Sequence, residues 1–135
     1  MSRTNARKNA FYLVFQHDFV GAEGMDEAKD VFYSENEDID DTDRNFINSA
    51  VNGTLENLES IDAVISEAAK GWTIERMAKV DLAILRLAVY ELKFSSLTPE
   101  KVVINEAVEL AKKYSSDNAP AFVNGVLGKI AGGSE

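Results

Sequence analysis

The chain has 135 residues, 14 Lys and Arg against 23 Asp and Glu, a net charge of −9, no cysteine and one histidine. Without cysteine there are no disulfides and no thiolate chemistry, and His17 alone is too little imidazole for a histidine-and-carboxylate zinc site. That length supports one domain over residues 1–135 with a real core, and two prolines and eight glycines are too few for a disordered chain.

The elements follow in chain order. Over residues 6–19, Ala10, Phe11, Leu13, Val14 and Phe15 fall at i, i+3, i+4 spacing and predict a helix with one face toward a core. Gly21 and Gly24 end it. A short helix follows over 26–33, with Ala28, Val31 and Phe32 inward, and then an acidic loop over 34–41. Asp40, Asp41 or Thr42 caps a third helix through Phe46, Ile47, Ala50, Val51 and Leu55. A fourth turns Ile61, Val64, Ile65 and Ala68 inward and stops at Gly71, which suits left-handed backbone.

The fifth helix, over about 76–94, has a wide apolar arc (Val80, Ile84, Leu85, Leu87, Ala88, Leu92) and is expected to be central and buried. Thr98-Pro99-Glu100 predicts the start of the sixth, with Thr98 as cap, proline at the first helical position and glutamate against the dipole. Ser116, Asp117 or Asn118 caps a seventh, which carries Phe122, Val123, Val126, Leu127 and Ile130 and stops at Gly132-Gly133. No strand alternation appears, so the fold class is all-α with about seven helices.

Charge is uneven along this frame. Residues 1–17 hold Arg3, Arg7 and Lys8 and no acid, whereas residues 18–43 hold eleven Asp and Glu and one Lys. Arg3 and Arg7 stand at i, i+4, where two guanidiniums on one helix side can clamp phosphates; the alternative is a solvated terminus. The acidic run lacks the Asp-x-Asp-x-Asp-Gly calcium spacing and reads as a solvated loop and helix face. Trp72, Arg76 and Phe122 can stack unpaired bases if they share a face; taken singly, the two aromatics read as core residues.

Arg86, Asn105 and Glu106 are polar groups inside apolar helices, and a buried arginine or carboxylate requires a partner. An Arg86–Glu106 ion pair with a structural role is the pairing this suggests. Gly125, isolated in Val123-Asn124-Gly125-Val126, suggests close helix packing, with Asn124 reaching back to a backbone carbonyl. No Gly-rich phosphate loop, Gly-x-Ser-x-Gly elbow or zinc-protease signature is present, so the chain is expected to bind rather than catalyse, with no cofactor or metal. No apolar run reaches bilayer length and no signal-peptide core follows the basic start, so a cytoplasmic location without membrane partners is expected.

Together these residues resemble the NusB family of transcription antitermination factors. The likeness is carried by Arg3-Thr4-Asn5-Ala6-Arg7-Lys8-Asn9-Ala10, by Trp72, by the block from Val80 to Leu92, by the Lys101–Tyr114 helix and by Phe122-Val123-Asn124-Gly125-Val126-Leu127. It implies two small helical bundles and a non-enzymatic factor that pairs with NusE, a small-subunit ribosomal protein. The pair would bind the single-stranded boxA element of nascent RNA, notably from ribosomal RNA operons, within an RNA polymerase antitermination complex. By position, Arg3, Arg7 and Lys8 of the first-helix basic motif, with Arg76, Asn118 and Phe122, would face RNA, and Phe15 and Asp81 would face NusE.

Thr4 and Ala121 stand where the family often has basic residues, which implies fewer phosphate contacts and a flatter salt dependence. Phe15 replaces a tyrosine and Asp81 a glutamate. Two alternatives stand beside this reading. One is the RNA-recognition part of an RNA cytosine methyltransferase, whose nucleotide-binding βαβ pattern these residues lack; the other is a structural homodimer that binds no RNA.

Overall fold

Ser2 opens the first helix: its hydroxyl accepts the Asn5 N–H at 3.1 Å, satisfying one of the orphan donors of a helix start. The computed structural model describes residues 1–132. From Ser2 the chain runs through α1 (Arg3–Glu35), α2 (Asp41–Glu56), α3 (Leu58–Ala68), a 3₁₀ turn (Ile74–Arg76), α4 (Lys79–Lys93), α5 (Glu100–Tyr114) and α6 (Ala119–Gly132). Gly133, expected to help end the last helix, lies outside the described residues. The architecture is all-α, as the patterning predicts.

α1 is two arms meeting at Gly21, whose φ of 72° and ψ of 174° break the helical path. Only glycine takes such a backbone without steric cost. Gly24, in contrast, sits inside the second arm and ends nothing. Asp40 caps α2 by accepting the Asp43 N–H at 2.9 Å. Gly71 takes φ 88° just beyond α3, the left-handed turn expected of it.

α4 is the axis of the fold. Residues 82–89 are all buried, and α4 packs against α1, α2, α3, α5 and α6. It begins at Lys79 rather than near Arg76, because Met77 and Ala78 are extended and set the 3₁₀ turn apart from it. α1 and α2 pack on it as one group and α3, α5 and α6, joined through α6, as another, and the buried apolar side chains of both form one continuous cluster.

α5 departs from expectation. Pro99 is its N-cap and makes no side-chain cap bond; the Thr98 hydroxyl instead accepts from Arg7 at 2.9 Å. Only Val103, Ala107, Leu110 and Ala111 are buried on this helix, so its apolar covering is one stripe and Asn105 faces outward.

Candidate functional site

Gly71 turns the chain so that Trp72 comes back beside α3, its N–H donating to the Ala69 carbonyl at 2.9 Å. The 3₁₀ turn then presents Arg76, and the first turn of α6 presents Phe122, whose N–H donates to the Asn118 carbonyl at 3.3 Å. These segments enclose a cleft of about 370 Å³ that brings Arg76, Asn118 and Phe122 together with Trp72 and Asp81. Trp72 and Phe122 meet edge to face, with centroids 5.8 Å apart.

Trp72 is 54% exposed, so it is no core residue. An exposed tryptophan against a half-buried phenylalanine, beside a guanidinium and an amide, offers stacking surfaces and base-edge hydrogen bonds in one place. Asp81, in the first turn of α4, is 9% exposed and accepts a hydrogen bond from the Ser115 hydroxyl. A carboxylate fixed there can take hydrogen bonds but disfavours a phosphate beside it.

The basic N-terminus divides. Arg3 is exposed and its guanidinium lies 4.0 Å from the centre of the Phe46 ring, a cation–π seat. Lys8 is half-buried on a groove of about 330 Å³ shared with Thr4, Glu106, Lys113 and Tyr114. Arg7 does not join them on the surface. It is 4% exposed, and its guanidinium is held by both Glu91 oxygens and by Thr98. One helical turn past Arg3 the side chain points between α1 and α4, where an unpaired charge would be too costly to leave.

Phe15 continues a row of rings along α1, 6.2 Å from Phe11 and 5.0 Å from Phe19, which is 64% exposed. Phe11 in turn stands 5.6 Å from Tyr114, the neighbour of Ser115, the residue that binds Asp81. The two residues expected to face a protein partner are thus joined through one chain of contacts.

The expected Arg86–Glu106 pair does not form. Arg86 makes a two-point bond to Asp62 on α3 at 2.8 and 2.7 Å and another to Asp18 on α1 at 2.9 Å. Burial would lower its pKa, but hydrogen bonds and charge from Asp62 and Asp18 outweigh that and raise it, so the guanidinium stays ionised. Glu106 accepts instead from the Thr4 hydroxyl at 2.8 Å, because α5 lies on a different side of α4 from Asp18 and Asp62. Glu91 was the missed residue: a carboxylate in so apolar a helix required a cation by the same reasoning that flagged Arg86.

Gly125 is not a packing contact either, since a Cβ there would meet nothing within 4 Å. The close approach is at Gly53, where a Cβ would overlap the Tyr90 ring. Among the described residues, no group of acids and histidine is placed to hold a metal ion, and no helix is long and apolar enough to cross a membrane.

Comparison with known proteins adds three findings. Residues 4–132 match the model of the NusB family. The transcription antitermination protein NusB of Agathobacter rectalis is 46% identical over 131 residues, 97% of this chain and all of that one. Two solved structures superpose with TM-scores of 0.89 and 0.87. The first is NusB of T. maritima, 36% identical over 98% of this chain and 92% of that one. The second is the antitermination factors NusB and NusE in complex with dsRNA, 29% identical over 97% of this chain and 96% of that one.

Proposed function

The chain belongs to the NusB family of transcription antitermination proteins, and from that premise we propose that it binds single-stranded boxA RNA of nascent transcripts, notably those of ribosomal RNA operons, together with a NusE-type ribosomal protein. The pair would act on RNA polymerase as part of an antitermination complex. The observation that carries this reading is the cleft where Trp72, Arg76, Asn118 and Phe122 converge. It has the parts that single-stranded RNA recognition needs: ring faces for unstacked bases, a cation for phosphate or stacking, and an amide for a base edge.

Arg3 and Lys8 supply further cations on α1, and the aromatic row through Phe15 and Phe19 supplies an apolar face for the protein partner. A solved complex of NusB and NusE with dsRNA, of closely similar fold, supports the pairing with a NusE-type protein and with RNA. Arg7 is left out of this surface, because it is 4% exposed and its Nε and Nη2 donate to Glu91 and Thr98.

Titration of a boxA-type RNA and a scrambled control at one salt concentration, with and without NusE, tests this. Preference for boxA, tightened by NusE, is expected. Equal binding of both RNAs in the presence of NusE overturns it.

A further inference from the structure

We infer that the RNA strand runs on past the aromatic cleft to a second, sequence-independent phosphate site formed by Lys70, Lys93 and Lys129. The inference rests on the RNA-binding reading above and extends it to a surface outside the cleft. The three lysines are exposed and converge on one open cavity of about 620 Å³, floored by Val64, Ala68 and Ile130. They come from three elements: Lys70 just beyond α3, Lys93 at the end of α4 and Lys129 in the last turn of α6.

Among the described residues none of the three is in an ion pair, and Glu67 is the single acid lining the cavity. In a chain of net charge −9, so local an excess of cations runs against the general charge. A lysine near a helix C-terminus is favoured by the dipole. That explains each one on its own helix but not their meeting around one hollow.

The site lies on a path from the cleft. Lys129 follows Phe122 by seven residues, nearly two helical turns, so it lies about 10 Å further along the same side of α6. Lys70 precedes Trp72 by two residues. Between Phe122 and Lys129 stands Gly125, exposed and with open space where a side chain would be, so nothing rises in the strand's way. Lysine is a flexible point charge without the planar fork that reads bases, which fits contacts to phosphates of any sequence.

The test uses the NusE-bound chain and two RNAs: a short boxA-type strand, and the same strand extended by about six unpaired uridines at one end or the other, within the span single-strand sites cover. The parent should bind one extended RNA more tightly and with a steeper salt dependence. The variant Lys70→Ala/Lys93→Ala/Lys129→Ala should bind the short RNA as the parent does and lose the gain from extension. Its log–log salt slope should flatten by about 0.7 for each lysine removed, about two units for all three.

The arginine triple variant at the same positions should restore the slope, since charge is what matters. No gain from extension at either end, or a gain that survives the alanine variant, overturns the inference while the cleft reading stands. Failure of the parent to bind even the short RNA overturns both.

Discussion

Arg7 on α1 and Glu91 on α4 form a closed ion pair in the interior. Nε lies 3.1 and 3.0 Å from the two carboxylate oxygens and Nη2 lies 2.9 Å from one, with the side chains 5% and 8% exposed. Nη2 also donates to Thr98, at the entry to α5. One guanidinium therefore ties α1 to the central α4 and to the turn that leads into α5.

Removing one member of such a pair leaves the other charge buried and unpaired, which costs about 3–5 kcal/mol. Arg7→Ala should show that loss in urea unfolding. Arg7→Met with Glu91→Leu, which removes both charges and keeps volume, should recover most of it. At temperatures where Arg7→Ala remains folded, its RNA affinity should match the parent's. A stable Arg7→Ala protein that has lost RNA binding would return Arg7 to the RNA face.

Arg86 and Glu106 should behave in opposite ways. Arg86→Ala takes the ion-pair partner from Asp62 and leaves Asp18 with only Lys79 at 3.8 Å, so a loss of about 3–5 kcal/mol is expected. Glu106→Ala removes one exposed hydrogen bond from Thr4 and should cost about 1 kcal/mol or less. Thermal melts of the two variants check this. Equal losses would mean that Glu106 carries structural weight the hydrogen-bond pattern does not give it.

The helices were legible because their periodicity and stops are local: the stripe of α1, the Asp40 cap, the left-handed Gly71 and the broad apolar arc of α4 all follow from neighbours in sequence. That Arg86 needed a partner was legible too, by desolvation alone. Which carboxylate would supply it was not, because Asp18 and Asp62 lie 68 and 24 residues away and nothing local distinguishes them from the other acids. The cleft shows the same division. Resemblance puts Arg76, Asn118 and Phe122 on one surface, and the fold brings the three together. Composition makes Trp72 a core residue, and only its exposure shows otherwise.

Gly53 illustrates a contact that sequence periodicity hides. It sits within α2, where alanine would be the better helix former by about 1 kcal/mol. The Tyr90 ring of α4 lies across it, so an added methyl overlaps the ring. Gly53→Ala should therefore destabilise, by about 1–3 kcal/mol for overpacking. Gly53→Ala with Tyr90→Leu should be more stable than the two single losses would add up to, and a double-mutant cycle in denaturant measures the coupling. A stabilised Gly53→Ala protein would show that the ring moves aside freely.

Trp72 offers the cleanest separation of recognition from folding. Its side chain is more than half exposed, and its ring partner is Phe122, itself at the cleft edge. Truncation removes little buried area, so Trp72→Ala should lower the melting temperature by only a small amount. If bases stack on this ring, the same change should weaken boxA-type RNA binding by about 1–3 kcal/mol, roughly five- to 150-fold. Trp72→Phe keeps a ring face and should retain most of the affinity. NusE binding should change much less than RNA binding, because the proposed partner face runs through Phe15 and Phe19 on α1 and reaches the cleft only at Asp81. Fluorescence anisotropy with a labelled RNA, run beside a NusE titration, reads both affinities on one preparation. Undiminished RNA affinity in a folded Trp72→Ala protein would remove the aromatic pair from the recognition surface and leave the binding to the cations of α1.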